Sequence, residues 1–189
     1  MSIILNRPRV LNSLNLEMIR SIQKALDEIE ADERYRFVLF YGAGERGFCA
    51  GGDVKALARA IQQKSALGAD LILEQEYDML LRLHGFAKPV IVLADGITMG
   101  AGLGLTASAD IAVATERTRM AMPETLKLLR HNEHLPLEEV FQAELAAARF
   151  ILNHPDYVEG VRARLVDKDD TPRWQPETIE AVKDPDLKL

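Results

Sequence analysis

One stretch of the chain, residues 88–124, constrains the fold most because it alternates apolar runs with closely spaced glycines. The run Val90–Ala94 predicts a strand, and a glycine-rich turn then leads into a small-residue helix predicted over Gly100–Ser108. A second buried strand is predicted over Ile111–Thr115, and a third short strand is predicted to end at Met122–Glu124. Small residues let a helix approach a neighbouring backbone or a ligand closely. The stretch is therefore either a tight packing seam or the floor of a site.

The other apolar patterns alternate between strand and helix, which is typical of an α/β chain. Strands are predicted at Ser2–Leu5 and Phe37–Tyr41, on either side of a helix over Leu16–Glu30. Apolar residues recur on one face of that helix, as they do in a helix that covers a core. The further predicted helices are Asp53–Gln63, Leu71–Leu83, Pro136–Leu152 and Pro155–Ala163, with a small-residue linker at Ser65–Asp70 between the first two.

Charge and cysteine content exclude several classes of partner. The net charge of -6 over 189 residues disfavours nucleic acid, because a binder of the phosphate backbone needs a Lys/Arg surface. The single cysteine, Cys49, cannot form an internal disulfide, which is typical of a reducing compartment. No apolar run approaches a membrane span, and the chain opens on a strand-like run instead of a targeting segment. These features predict a cytoplasmic protein without nucleic-acid or membrane partners.

The segment Gly42–Gly47 fits the G-x-G-x-x-G pattern of dinucleotide-binding loops and follows a predicted strand. In such loops a helix opens at the third glycine. Here an extended segment, Phe48–Gly52, follows instead, and the helix begins only near Asp53. The pattern therefore does not indicate a nucleotide cofactor.

Two glycine-rich turns, Ala50–Asp53 and Met99–Gly102, each precede a predicted helix. The first N–H groups of a helix have no partner within it, and the helix dipole favours negative charge there. Two such groups converging on one point would form an oxyanion hole for an acyl or thioester oxygen. The alternative is that the glycines only permit tight turns.

Four segments together resemble the crotonase (enoyl-CoA hydratase/isomerase) superfamily. They are GFCAGGDVKAL at 47–57, KPVIVLADGITMGAGLGL at 88–105, MAMPET at 120–125 and EGVRARLVDKDDTPRW at 159–174. The GITMG turn, MPET and the last segment resemble its 3-hydroxyisobutyryl-CoA hydrolase branch. The resemblance implies a crotonase (ClpP-like) α/β fold of stacked ββα units, with a core over residues 1–130 and a helical C-terminal segment over residues 131–189.

The resemblance also implies a catalytic arrangement. The N–H groups of Gly52 and Ala101 would form the oxyanion hole, and Glu124 would act as a base on water or as a nucleophile. Gly104 stands where family hydratases carry a second glutamate, and adding water across a double bond needs both acids. One carboxylate suffices for thioester hydrolysis. Without the resemblance, Glu124 would be interpreted as an acid that stabilises a helix N-terminus behind Pro123.

Further residues would contact the substrate by the same resemblance. Glu76, in an acid–Tyr pair, would contact the acyl hydroxyl, although an acid on an amphipathic helix is otherwise expected on a solvated face. Lys55 would reach a coenzyme A phosphate, although an exposed lysine often has no such role. The remaining members of this predicted substrate-binding set are Ala50, Gly51, Asp53, Gly100 and Gly104.

No metal or redox cofactor is implied, because the oxyanion hole would supply the electrostatic stabilisation. Coenzyme A enters only as part of the substrate. The cluster of His131, Glu133 and His134 matches no zinc-binding spacing. Cys49 has no histidine near it in sequence and is interpreted as a small core residue.

The resemblance is interrupted after MPET. The family continues there through a Phe-Pro-Asp segment with an assisting aspartate, whereas this chain soon reaches the predicted helix that begins at Leu135–Glu139. A large family segment is therefore absent near residues 130–134. Three explanations stay open: a natural deletion, a fragmentary or mis-joined gene, or a longer protein whose middle segment this sequence omits. The first two predict an exposed core face, and hence poor solubility or compensating homo-oligomerisation.

The expected function is hydrolysis of a short 3-hydroxyacyl-CoA thioester, with 3-hydroxyisobutyryl-CoA of valine catabolism as the substrate. Two alternatives stay open. One is an enoyl-CoA hydratase or isomerase of the same superfamily. The other is a catalytically degenerate coenzyme A-binding protein.

Overall fold

The structure, a computed structural model, describes residues 1–62, 66–121, 135–169, 171–173 and 175. The chain divides into two compact units. The first consists of Met1–Asp53 and Gln75–Thr125, and the second of Val54–Glu74 and Leu126–Leu189. The sequence-based division between residues 1–130 and 131–189 stays a prediction.

Parallel strands form two sheets in the first unit. The strands are β1 (Ser2–Leu5), β2 (Val38–Gly42), β3 (Gly47–Cys49), β4 (Val90–Ala94), β5 (Ile97–Met99), β6 (Ile111–Ala114) and β7 (Arg119–Ala121). The larger sheet has the order β1-β2-β4-β6, and the smaller has the order β3-β5-β7. Successive strands β2 and β3, β4 and β5, and β6 and β7 thus place one member in each sheet. This repetition agrees with the predicted stacking of strand pairs.

The centre of the larger sheet carries the core of the first unit. In β2 and β4 the alternate residues Val38, Phe40, Val90 and Val92 are fully buried, as expected for strands with a covered face. The first helix, α1 (Leu16–Ala31), buries Ile19, Ile22, Leu26 and Ile29 along one face. Its N-cap is Asn15, whose side-chain oxygen accepts a 2.9 Å hydrogen bond from Met18 N–H.

The other described helices are α2 (Val54–Gln62), α3 (Ala66–His84), α4 (Ala101–Ala107), α5 (Leu137–Asn153) and α6 (Pro155–Val161). In the second unit α2 packs against α5 and α6. Apolar side chains of these helices, among them Leu57, Phe141 and Leu145, are buried. Arg149 of α5 forms ion pairs with Asp70 and Glu74.

The structure corrects three local predictions. The predicted linker Ser65–Asp70 belongs largely to α3, because its alanines favour helix and no proline interrupts it. The predicted turn contains the additional strand β5. The strand predicted as buried over Ile111–Thr115 is exposed at every position of β6, and Ile111 is 52% exposed. β6 is an edge strand like β1, but β1 alternates exposed and buried residues, so its edge position alone does not account for this exposure.

Close packing around α4 gives a direct test of this fold. A Cβ at Gly102 would lie 2.3 Å from Cys49 O, a backbone atom that cannot move away cheaply. We expect Gly102→Ala to lower the free energy of unfolding by about 1–3 kcal/mol, despite the higher helix propensity of alanine. Gly85→Ala is the matched control, because its nearest atom would be Leu81 O at 3.9 Å. Equal urea midpoints for the two variants would contradict the packing described.

Candidate active site

The two glycine turns lie against each other through their backbones. A Cβ at Gly51 would lie 3.3 Å from the Cα of Gly100 and 3.4 Å from the amide nitrogen of Ala101. Gly51 and Gly100 also have φ values of +94° and +50°, a region that side-chain-bearing residues rarely adopt. Glycine is therefore required at both positions, by conformation and by the close approach.

The N–H of Gly52 is directed away from the neighbouring chain segment. Gly52 forms an isolated parallel bridge with Leu14. In this bridge Leu14 N–H donates to Gly51 O at 2.8 Å, and Asp53 N–H donates to Leu14 O at 2.7 Å. Amides of successive extended residues point to opposite sides, so the N–H of Gly52 faces away from Leu14. Among the described residues it has no acceptor.

The second unpaired N–H belongs to Ala101, the first residue of α4. Gly100 O accepts hydrogen bonds from Leu103 N–H at 2.8 Å and from Gly104 N–H at 3.1 Å, so the first turn of α4 is fully formed. The N–H of Ala101 comes before the first of these helical hydrogen bonds and, like the first amide of any helix, has no partner within the helix. No residue in the described part of the chain accepts from it. Two unpaired amides therefore lie on turns that are in contact.

The rest of α4 is a packing seam. Gly102 contacts the backbone of Cys49, as noted above, and Gly104 faces Leu80 of α3. A Cβ at Gly104 would lie 2.6 Å from Leu80 Cδ1. Leu80 is buried, so the space that a side chain at position 104 would need is already filled. Within residues 88–124, α4 is thus a close-packed seam. The turn that precedes it leads to the N–H of Ala101, which has no acceptor among the described residues.

Glu76 is a buried carboxyl group in the same unit. It is 9% exposed, and burial raises its pKa to about 7. No described residue donates a hydrogen bond to it. The expectation of a solvated face is therefore wrong for this acid. The signal was present in the sequence, because Met79, Leu80 and Leu83 follow on the same helical face and are buried.

Cys49 is fully buried at the end of β3. Burial is the main cause that raises the pKa of its thiol to about 12, and the nearby charge of Glu76 adds to this. The thiol is therefore neutral at ordinary pH and is a poor nucleophile. This agrees with the interpretation of Cys49 as a core residue.

Of the remaining predicted site residues, some have defined contacts or exposure in the structure and others lie outside the described residues. Ala50 N–H donates to Leu11 O at 2.9 Å, and the Asp53 carboxylate forms an ion pair with Arg7 at 2.9 Å. Lys55 is exposed on α2, which belongs to the second unit. Outside the described residues lie Glu124, His131, Glu133 and His134.

The described residues contain no group of three His, Cys, Asp or Glu side chains placed to hold a metal ion. None of their helices is both long enough and apolar enough to cross a membrane.

A family model described as Enoyl-CoA hydratase/isomerase matches the chain in two blocks, residues 1–126 and 125–188. The mitochondrial 3-hydroxyisobutyryl-CoA hydrolase of Rattus norvegicus is 46% identical over 123 residues, which make up 65% of this chain and 32% of that protein. The human protein of the same name is 41% identical over the same share. The match thus spans about a third of the length of these curated relatives.

Solved structures agree in fold over nearly the whole chain. A carnitinyl-CoA dehydratase from Mycobacterium thermoresistibile has a TM-score of 0.88 at 22% identity, covering 99% of this chain and 92% of that chain. An enoyl-CoA hydratase from Rhodobacter sphaeroides 2.4.1 has a TM-score of 0.87 at 20% identity, covering 96% and 91%. At these identities the likeness shows the fold alone. It confirms the expected crotonase fold.

The burial of Glu76 predicts a pH-dependent stability. Its pKa rises from 4.5 to about 7 on folding, so between these pH values the folded state retains a proton that the unfolded state has released. Stability then falls as pH rises through this window, by about 3 kcal/mol in total, and is constant above it. Glu76→Gln stays neutral, and we expect it to lack this fall and to be the more stable protein at pH 8.

Chemical denaturation from pH 4 to pH 8 measures the effect. Asp78→Asn is the matched control, because Asp78 is an exposed acid on the same helix. An identical pH slope for wild type and Glu76→Gln would show that the Glu76 carboxyl is not buried as described.

Proposed function

Because the chain belongs to the enoyl-CoA hydratase/isomerase family, we propose that it hydrolyses the thioester of a short 3-hydroxyacyl-CoA. The proposed substrate is 3-hydroxyisobutyryl-CoA, as in the names of the matched relatives, and the proposed setting is valine catabolism. The observation that carries this proposal is the contact between the two glycine turns, each with one amide N–H that has no acceptor among the described residues.

In the proposed reaction the thioester oxygen accepts hydrogen bonds from the N–H groups of Gly52 and Ala101. These donors stabilise the negative charge that develops on the oxygen during attack at the carbonyl carbon. Both donors are fixed by the backbone before substrate arrives, so little reorganisation accompanies the reaction. The neighbouring groups Ala50, Gly51, Asp53 and Gly100 shape this part of the site.

Glu124 is the proposed general base. It takes a proton from water as the water oxygen bonds to the carbonyl carbon, and the tetrahedral intermediate then collapses. The carbon–sulfur bond breaks, coenzyme A leaves as a thiolate that takes up a proton, and the products are the free thiol and the 3-hydroxy acid. In the alternative route the Glu124 carboxylate attacks the carbonyl carbon directly and the carbon–sulfur bond breaks, so that coenzyme A leaves as a thiolate that takes up a proton. Water then cleaves the resulting anhydride to the 3-hydroxy acid and the Glu124 carboxylate.

Glu76 is the proposed contact for the acyl hydroxyl group. A buried carboxyl group with no donor among the described residues gains from a hydrogen bond with a ligand. Its pKa of about 7 lets it act as a donor when protonated and as an acceptor when ionised. Lys55 is proposed to meet a coenzyme A phosphate through its exposed ammonium group.

The Gly104–Leu80 contact supports hydrolysis over hydration. An acid at position 104 would have to displace the Leu80 side chain, whose Cδ1 lies 2.6 Å from the place of its Cβ. One catalytic carboxylate is enough for hydrolysis, whereas hydration needs two. A hydratase or isomerase is therefore the less favoured enzyme.

A coenzyme A-binding protein without turnover is the other alternative, and the lack of the Phe-Pro-Asp segment after MPET in this sequence favours it. Cytoplasmic location and homo-oligomerisation stay predictions. The matched relatives are named as mitochondrial proteins.

The test is release of free thiol from 3-hydroxyisobutyryl-CoA. Ala101→Pro removes the proposed donor at the first position of α4, where helices tolerate proline, and we expect kcat to fall about 100- to 1,000-fold. Binding of coenzyme A, which has no thioester carbonyl, serves as the control and is expected to be retained. Glu124→Gln is expected to abolish turnover.

Three outcomes would contradict parts of the proposal. Turnover that survives Glu124→Gln would remove the proposed base. An unchanged kcat in Ala101→Pro would remove the proposed oxyanion hole. Retained coenzyme A binding without turnover in the wild type would favour the non-enzymatic alternative.

A further inference from the structure

The loop of residues 7–14, which no functional assignment above uses, is tied to the first glycine turn. Asn12 lies in this loop, is 0% exposed and has a φ of +56°, which is uncommon for a residue with a side chain. Its neighbour Leu11 has a φ of 53°. Two consecutive residues in this region need support from their surroundings.

The Asn12 side chain supplies that support through three hydrogen bonds. Its oxygen accepts from Arg7 N–H at 2.9 Å, and its Nδ2 donates to Ala43 O at 3.0 Å and to Gly47 O at 2.9 Å. Gly47 begins β3, the strand that runs directly into the first turn. The amide thus joins the loop to both ends of the segment between β2 and β3.

Arg7 joins the loop to the far side of the turn. Its Nη1 donates to Ser13 O at 2.7 Å, and its Nη2 donates to the Asp53 carboxylate at 2.9 Å. The side chains of Arg7 and Asp53 are 29% and 18% exposed, so the pair is only partly screened by water. Asp53 directly follows Gly52, whose N–H is the proposed oxyanion donor.

Backbone hydrogen bonds complete the connection between loop and turn. Ala50 N–H donates to Leu11 O, and three residues after Leu11, Leu14 N–H donates to Gly51 O while Leu14 O accepts from Asp53 N–H. The carbonyl of Gly51 and the N–H of Asp53, on either side of Gly52, are thus bonded to Leu14, and the N–H of Gly52 is directed away from the loop. A rotation of the loop would therefore rotate the Gly52 peptide with it.

We propose that Arg7 and Asn12 are positioning residues for the Gly52 amide. Asn12 fixes the unusual backbone of the loop, and the Arg7–Asp53 ion pair fixes the residue after Gly52. Neither side chain is assigned a contact with substrate. The expected effect on turnover rests on the proposed hydrolase function, whereas the positioning of the turn does not.

The activity arm of the test compares kcat with KM for release of thiol from 3-hydroxyisobutyryl-CoA. Asn12→Asp replaces the donating amide with an oxygen that faces two carbonyl oxygens, and Arg7→Met removes both guanidinium hydrogen bonds. We expect kcat to fall about 10- to 100-fold in each variant and KM to change less. This fall is smaller than the one expected on complete loss of an oxyanion donor, because the Gly52 N–H is misplaced and not removed. Arg7→Lys restores part of the loss because it keeps the charge opposite Asp53.

Stability-matched variants separate positioning from general destabilisation. Ile22→Val and Leu26→Ala remove buried methyl groups from α1, and their losses of stability bracket a wide range, from about 0.5 to 5 kcal/mol. We expect both to keep the wild-type kcat at a temperature where they are folded. A control with the same Tm as Arg7→Met and the same fall in kcat would overturn the proposal.

A second arm does not depend on activity. Cys49 is the only cysteine of the chain and is fully buried directly before the turn, so its reaction with an aromatic disulfide reagent reports local opening. We expect Asn12→Asp and Arg7→Met to label faster than controls of equal stability. If either variant fails to fold, Asp53→Asn, which removes the charge that Arg7 contacts, takes its place.

The two arms fail in different ways. A wild type that releases no thiol would contradict the proposed function, and faster Cys49 labelling in the variants would still support the positioning of the turn. Labelling rates equal to those of the stability-matched controls would overturn the positioning claim, whatever the activity.

Discussion

The backbone contact between Gly51 and Gly100 is the constraint on which the rest of the first unit depends. A Cβ on either residue would crowd the other turn, and both residues have positive φ values. Because β3 and β5 are hydrogen-bonded neighbours in the smaller sheet, the turns that follow them emerge side by side. The sheet brings the turns together, and the absence of side chains on these two glycines lets them touch.

This contact explains how one segment can be both a close-packed seam and the edge of the proposed site. Along α4, Gly102 and Gly104 meet Cys49 and Leu80 closely, so that face is filled. At the N-terminus of α4, the N–H of Ala101 has no acceptor in the described part of the chain. Packing and the proposed chemistry thus use the same small residues, and the close packing along α4 holds the Ala101 amide in place.

Glu76 adds an electrostatic element to the same unit. A carboxyl group buried without a donor among the described residues costs stability when it ionises, and here that cost falls within the ordinary pH range. Buried acids with strongly raised pKa values occur preferentially at functional sites. This reasoning links the burial of Glu76 to the proposed contact with an acyl hydroxyl group.

The local pattern of the sequence predicts most of the elements but not their contacts. The strand Val90–Ala94 and the face of α1 follow from apolar periodicity, which depends on neighbouring residues. The approach of Gly51 to Gly100 joins residues far apart in the chain, and periodicity carries no information about it. The glycine spacing identified the two turns and the resemblance assigned their N–H groups. The proposed roles of Arg7 and Asn12 became visible only from hydrogen bonds across the loop. Exposure of β6 depends on what covers the faces of the sheet, which no pattern within the strand reveals.

The most direct measurement is the infrared carbonyl frequency of an isotope-labelled 3-hydroxyacyl-CoA bound to the Glu124→Gln variant, in which hydrolysis is expected to be blocked. Two amide donors on the thioester oxygen weaken its carbonyl bond. The account predicts a lower frequency than for the same thioester in water, and loss of that shift when Ala101→Pro is added. A bound thioester with the frequency found in water, unaffected by Ala101→Pro, would contradict it.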